Sequence, residues 1–149
     1  MRSCGITSPT SANTGKWPEV TTHLLPLSVS GSVQAHLVNL AWWNRLQPAQ
    51  REALTAQFRQ MEDALWDLAR TTNEDATACS TGQPSCLGTV HGRYNMTLAT
   101  VSDADKARLR RISEEVILTE WSQRCTRAYP NCAQVWNETV GRARGMAIR

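Results

Sequence analysis

Apolar positions recur at helical spacing most clearly in one stretch. From Pro48 to about Asn73 the chain reads PAQREALTAQFRQMEDALWDLARTTN, without internal proline or glycine. Leu54, Phe58, Met61, Leu65, Leu68 and Thr72 follow alternating steps of four and three, which draws one stripe along a helix. Pro48 suits the first helical position, where its missing N–H is no loss. About twenty-five residues of helix span roughly 37 Å, more than a compact domain of this size needs. The stripe is too short for a convincing coiled coil. A narrow stripe with a polar remainder suits a strut across two bodies, and part of its face from Leu54 to Leu68 is expected to lie exposed.

The flanking pattern is weaker. Residues 3 to 18, rich in Ser, Thr, Gly and Pro, read as loop. Glu19 to Leu25 (EVTTHLL) is β-branched enough for a strand ended by Pro26. Ser28 to Ser32 is a turn, and Val33 to Val38 alternates as a half-buried strand does. Asn39 is placed to cap a short helix, Leu40 to Leu46, that carries Trp42 and Trp43. Beyond Glu74 the pattern dissolves through Gly82, Pro84, Gly88 and Gly92. Met96 to Val101 is a short strand candidate. Ser102 with Asp105 opens a second helix running to about Arg124, where Leu109, Ile112 and Val116 give way, with a shift of face, to Ile117, Trp121 and Cys125. Arg110–Glu114, Arg111–Glu115 and Glu120–Arg124 are spaced as i,i+4 pairs. A third helix is expected from about Pro130 to Val140, stopped by Gly141, with a frayed tail after it. The helices of 103–141 thus close the chain.

At 149 residues the chain is about one domain long, and a hydrophobic fraction of 41% with 19% charged residues suits a globular protein. No apolar run approaches a membrane span. A net charge of +3 is too mild to indicate nucleic acid. The basic run Lys106, Arg108, Arg110 and Arg111 is interleaved with Asp103, Asp105, Glu114 and Glu115, and reads as a solvated, ion-paired face. Trp42 and Trp43 are expected to pack rather than to line a ligand site.

The five cysteines include two pairs with one spacing, Cys79-x6-Cys86 and Cys125-x6-Cys132, with Cys4 left over. Two local disulfides are the favoured reading, with free thiols and a zinc site as the alternatives. Zinc sites usually space their ligands two to four residues apart. Disulfides imply an oxidising compartment, yet the polar N-terminus has no apolar leader. Either the cysteines are reduced and inert, or the front end of a longer protein is expected to precede Met1. His23, His36 and His91 fall in no catalytic pattern.

Three segments together carry a resemblance: CGITSPTSANTGKWPEVTTHL; VNLAWWNRLQPAQREAL opening the long helix; and MTLATVSDADKARLRRISEEVILTEWSQRC followed by NCAQVWNETVG. They resemble the C-terminal half of solute-binding proteins of TRAP (tripartite ATP-independent periplasmic) transporters, of the DctP type. The resemblance implies an α/β fold, a partial periplasmic-binding-protein-like fold of type II-like topology. Residues 1–149 would be its C-terminal portion, with 48–73 as the lobe-connecting helix. The N-terminal lobe, signal peptide and carboxylate-clamping arginine are expected upstream. It also implies a periplasmic binder of a small organic acid that docks on TRAP membrane subunits, with no catalytic residue, cofactor, metal or nucleic-acid partner. Carried over by position, Thr7 and Ser8 fall on a ligand-contacting loop, where an amide is usual in the family, and Trp17 and Ser28 reach the cleft wall. A stand-alone helical protein that oligomerises through the long helix is the alternative.

Overall fold

The computed structural model describes residues 4–31 and 34–148. The chain divides into two compact units, one comprising residues 1–26 and 30–99, the other residues 27–29 and 100–149. The first unit starts with a helix that its composition conceals. Residues 3 to 18 are not a continuous loop: α1 spans Pro9–Thr14, and a single 3-10 turn spans Trp17–Glu19. Ser8 Oγ caps α1 by accepting the Ser11 N–H at 3.1 Å, and Pro9 fills the first helical position. The Ser-Pro pair is the start signal that the loop-like composition hides. β1 is only His23–Leu24, the core of the longer strand expected there. Residues 34–38 form no strand and are exposed, and Val33 lies outside the described residues. Their alternation is real, but a strand needs a ladder partner, and none pairs with them among the described residues.

Asn39 does cap the next helix, α2 (Leu40–Arg45), its Oδ1 accepting the Trp42 N–H at 3.0 Å. The packing expected of both tryptophans is not what forms: Trp42 is exposed and Trp43 is half-buried. α3 starts at Pro48 as expected but runs to Ser80, seven residues past Asn73, for 33 residues. That is about 50 Å. The underestimate has a simple cause. The stripe ends near Thr72 because the last two turns are buried against polar partners as well as apolar ones, so hydrophobic periodicity cannot follow them. Phe58, Leu65 and Leu68 on the stripe are all exposed, while Asp75, Ala76, Ala78, Cys79 and Ser80 are buried.

After α3 a disulfide between Cys79 and Cys86 closes a tight loop. Gly82 sits in it at φ +68°. The returning chain lies along the end of α3, with the N–H of Tyr94 on Cys79 O at 2.8 Å and that of Met96 on Ser80 O at 2.9 Å. It then reaches β2 (Thr97–Leu98), which pairs in parallel with β1 in the register His23↔Thr97 and Leu24↔Leu98.

The second unit is helical. Ser102 Oγ accepts the Asp105 N–H at 3.1 Å and opens α4 (Asp103–Ile112). The helix continues through a π-helical run, Ser113–Leu118, into α5 (Thr119–Ala128). A π-helical segment inserts extra residues per turn and rotates the helix beyond it, which is the physical form of the shift of face between Val116 and Ile117. Of the three i,i+4 pairs, Arg110–Glu114 closes at 2.9 Å, and the other two form no ion pair. A second disulfide, Cys125–Cys132, staples α5 to α6 (Cys132–Glu138). Gly141 does not stop the helix. It lies inside α7 (Val140–Arg144), where a Cβ would meet Met146 O at 2.5 Å and Trp136 Nε1 at 2.6 Å. Gly145, at φ +63°, ends it. The tail does not fray before Ile148: Asn137 donates to Ile148 O at 2.9 Å and accepts its N–H at 2.8 Å.

Gly82→Ala is expected to cost about 1–2 kcal/mol, since it forces a side chain into the left-handed region with Tyr94 O only 3.0 Å from the new Cβ. Urea denaturation of the two proteins measures it.

Candidate functional site

The most organised polar cluster lies at the C-terminal end of α3. Asn13, Asp75, Ser80 and His91 are all buried there. Asn13, on α1, uses its whole amide. Its Nδ2 donates to Ser80 Oγ at 3.0 Å and to Gly92 O at 2.8 Å, and its Oδ1 accepts the Gly92 N–H at 2.8 Å. One residue earlier, the His91 ring is bonded through Nδ1 to Asp75 Oδ2 at 2.7 Å. Asp75 Oδ1 accepts the Leu87 N–H at 2.7 Å. Arg93 closes the outside of the loop by donating from Nη2 to Cys86 O at 2.6 Å.

Asp75 Oδ1 also lies 3.4 Å from Cys79 Sγ. That sulfur is in a disulfide and carries no proton, so this is a close approach and not a hydrogen bond. Asp75, Cys79 and Cys86 bring their ligand atoms within 4.8 Å of one another. The bond between the sulfurs occupies both thiols, so the cluster as folded offers a metal no thiolate.

The His91 hydrogen bond holds the Asp75 carboxyl below its ordinary range, helped by the Leu87 N–H, opposed by burial, and helped further by the charges of His91 and Arg93. His91 Nε2 is buried and has no hydrogen-bond partner among the described residues. A carboxylate on one ring nitrogen fixes the orientation of the other.

The residues singled out from the sequence fall differently. Thr7 is exposed just ahead of α1, and Ser8 is the cap of that helix. Trp17 stands close by in space, because its ring covers Gly5: a Cβ there would meet Trp17 Cζ3 at 2.4 Å. Thr7, Ser8 and Trp17 thus belong to one locality of the first unit. Ser28 is exposed and groups with the second unit, so it does not join them within one unit. Both cysteine pairs form the disulfides favoured by their spacing, and Cys4 is a free, exposed thiol.

Sequence reasoning missed Asn13, Asp75 and His91. Their partners lie 67 and 79 residues away for Asn13 and 16 residues away for the Asp–His pair, beyond any local pattern.

In the second unit Trp121, Tyr129, Val135, Trp136 and Val140 line an apolar cleft of about 280 Å³ beside the Cys125–Cys132 disulfide. Trp121 and Trp136 form its wall, with ring centroids 5.0 Å apart and planes tilted by 52°, a favourable offset for aromatic pairs.

No protein-family model, no curated protein and no solved structure matches the chain.

The depressed titration of Asp75 sets a sign for acid stability. A carboxylate whose folded value lies below its unfolded value stabilises the fold above the unfolded value, and that stability is lost as pH falls through the folded one. Wild type is expected to be more stable than Asp75→Asn at neutral pH, and the gap should narrow steadily below about pH 4. Urea midpoints measured from pH 7 down to pH 2.5 test this; a gap independent of pH would contradict it.

Proposed function

We propose that the chain is the C-terminal portion of an extracytoplasmic solute-binding protein of the TRAP DctP type, which takes up a small organic acid in a cleft completed by a further lobe. The observation that carries this reading is α3. Among the described residues, the fully buried positions of this 33-residue helix all lie at its C-terminal end, while Phe58, Leu65 and Leu68 along its stripe stay exposed. An apolar stripe of that length calls for a covering body. In this reading the cover is the first lobe, and α3 is the strut that runs across both.

The strand pair favours the same reading over the alternative of a self-associating helical protein. Parallel strands belong to sheets covered on both faces by helices, and a two-stranded sheet is marginal on its own. Here β1 and β2 pair over two residues each, with Leu98 exposed. Further strands beside them would make an α/β lobe. A helical dimer has no use for such a pair. The two disulfides suit the periplasm, where they persist.

The ligand locality in this reading is the exposed group Thr7, Ser8 and Trp17, where hydroxyls and backbone N–H groups receive an anion without a charge of their own. Binding, and not chemical conversion, is the task. The membrane subunits of the transporter are the partners, with the solute as cargo.

Genomic DNA around the coding sequence provides the test. We expect an in-frame first lobe with a secretory leader, and genes for two membrane subunits alongside. A gene without these neighbours, whose product sediments as a stable concentration-dependent dimer broken by Phe58→Glu, would overturn the proposal in favour of self-association through α3.

A further inference from the structure

We infer that Asn13 is a positioning residue for the ligand-facing stretch at Thr7 and Ser8, and that it acts only through a loop closed by the Cys79–Cys86 disulfide; the inference rests on the solute-binding reading. α1 is six residues long, too short to persist in water without tertiary support. Asn13 is its buried residue, only 2% exposed, and all its side-chain partners lie on distant segments.

The side chain makes the paired donor and acceptor bonds to Gly92 that one strand residue makes to its opposite number. Its remaining amide hydrogen goes to Ser80 Oγ, at the last residue of α3. Few side chains can do this. An ionised Asp offers acceptors only, Ser is too short, and Gln carries its amide one methylene further out.

Gly92 is a fixed target because of the residues that precede it. His91 is bonded to Asp75, Asp75 holds the Leu87 N–H, and the disulfide joins Cys86 to the same helix one turn beyond Asp75. A single line of constraint therefore runs from the disulfide through Asp75, His91 and Gly92 to Asn13. From there it passes along α1 to Ser8, whose hydroxyl is committed to the Ser11 N–H, and so to Thr7. Cutting the line at any point releases the same segment.

Hydrogen exchange on the full chain tests this. Asn13→Ala, Asn13→Asp and the double variant Cys79→Ser/Cys86→Ser are each expected to speed exchange in residues 5–16 about tenfold, with residues 103–128 unchanged as the internal reference. Combining Asn13→Ala with loss of the disulfide should add less than about threefold more, because both cut one line, whereas independent destabilisations multiply. Ser80→Ala removes one of the three bonds and should give a smaller rise in the same segment, which keeps the test open if the harsher variants unfold. Unchanged exchange at 5–16 in the disulfide-free protein, or effects that multiply, would overturn the inference. Calorimetry with succinate, a four-carbon dicarboxylate, adds a functional arm. Where wild type binds it, Asn13→Asp should bind about tenfold more weakly, and equal affinities would refute the positioning role. Where the chain, holding only its side of the cleft, binds none of succinate, lactate or glutarate, the exchange experiment alone decides the role of Asn13.

Discussion

The bonds that hold the first unit converge on the last turns of α3. Three kinds of constraint meet there within a few residues. The Cys79–Cys86 disulfide shortens the loop that leaves the helix. The Asp75–His91 pair turns that loop back. The Asn13 amide then docks α1 on the result. Each needs the others, since a buried amide is tolerable only when its partners are in place, and Gly92 is in place only while the loop is closed. The buried apolar residues are few and small at this point, Ala76 and Ala78 beside the half-cystines, so hydrogen bonding and the covalent link carry a larger share of the organisation than in an ordinary core.

The second unit uses the same devices in different order. Its disulfide joins α5 to α6, and the tryptophan pair Trp121–Trp136 packs beside it. Asn137 grips the backbone of Ile148 with the same two bonds that Asn13 makes to Gly92. Trp136 Nε1 and Arg110 reach the backbone oxygens of Met146 and Gly145. A backbone segment with no regular partner is thus held by side-chain amides that imitate one, which satisfies polar groups that would otherwise face an apolar surface.

Against these anchored ends, the middle of α3 is bare. Its stripe has the spacing of a packed helix, yet Phe58, Leu65 and Leu68 stay exposed, and the parallel pair β1–β2 has the form of a larger sheet on a scale of two residues. The two-lobed binding protein proposed above would cover both with a further lobe, and would keep the disulfides in a compartment where they persist. The same proposal would give the N-terminal stretch a task, since a ligand-facing loop must be held rigidly if it is to recognise its ligand when a cleft closes.

Much of this is legible in the sequence where the determinants are local. Pro48, the stripe from Leu54 to Thr72, and the caps at Asn39 and Ser102 set helix starts through interactions three or four residues long, and the x6 spacing puts each cysteine within reach of its mate. The change of face after Val116 is also written in the residues, though not that a π-helical run delivers it. Other features depend on the fold. The strand expected at 33–38 does not form over its described residues, because alternation cannot supply a ladder partner. Gly141 has the look of a stop, whereas its real role is to admit Trp136 and Met146 at close range. Asn13, Asp75 and His91 look like ordinary polar residues in the sequence, since their partners meet them only once α3, the disulfide loop and α1 have assembled. The sequence by itself determined where α2, α3 and α4 begin and favoured the two disulfides that form, because those depend on near neighbours. Only the tertiary structure decided which polar side chains are buried and joined, because burial and long-range hydrogen bonds are properties of the packed chain.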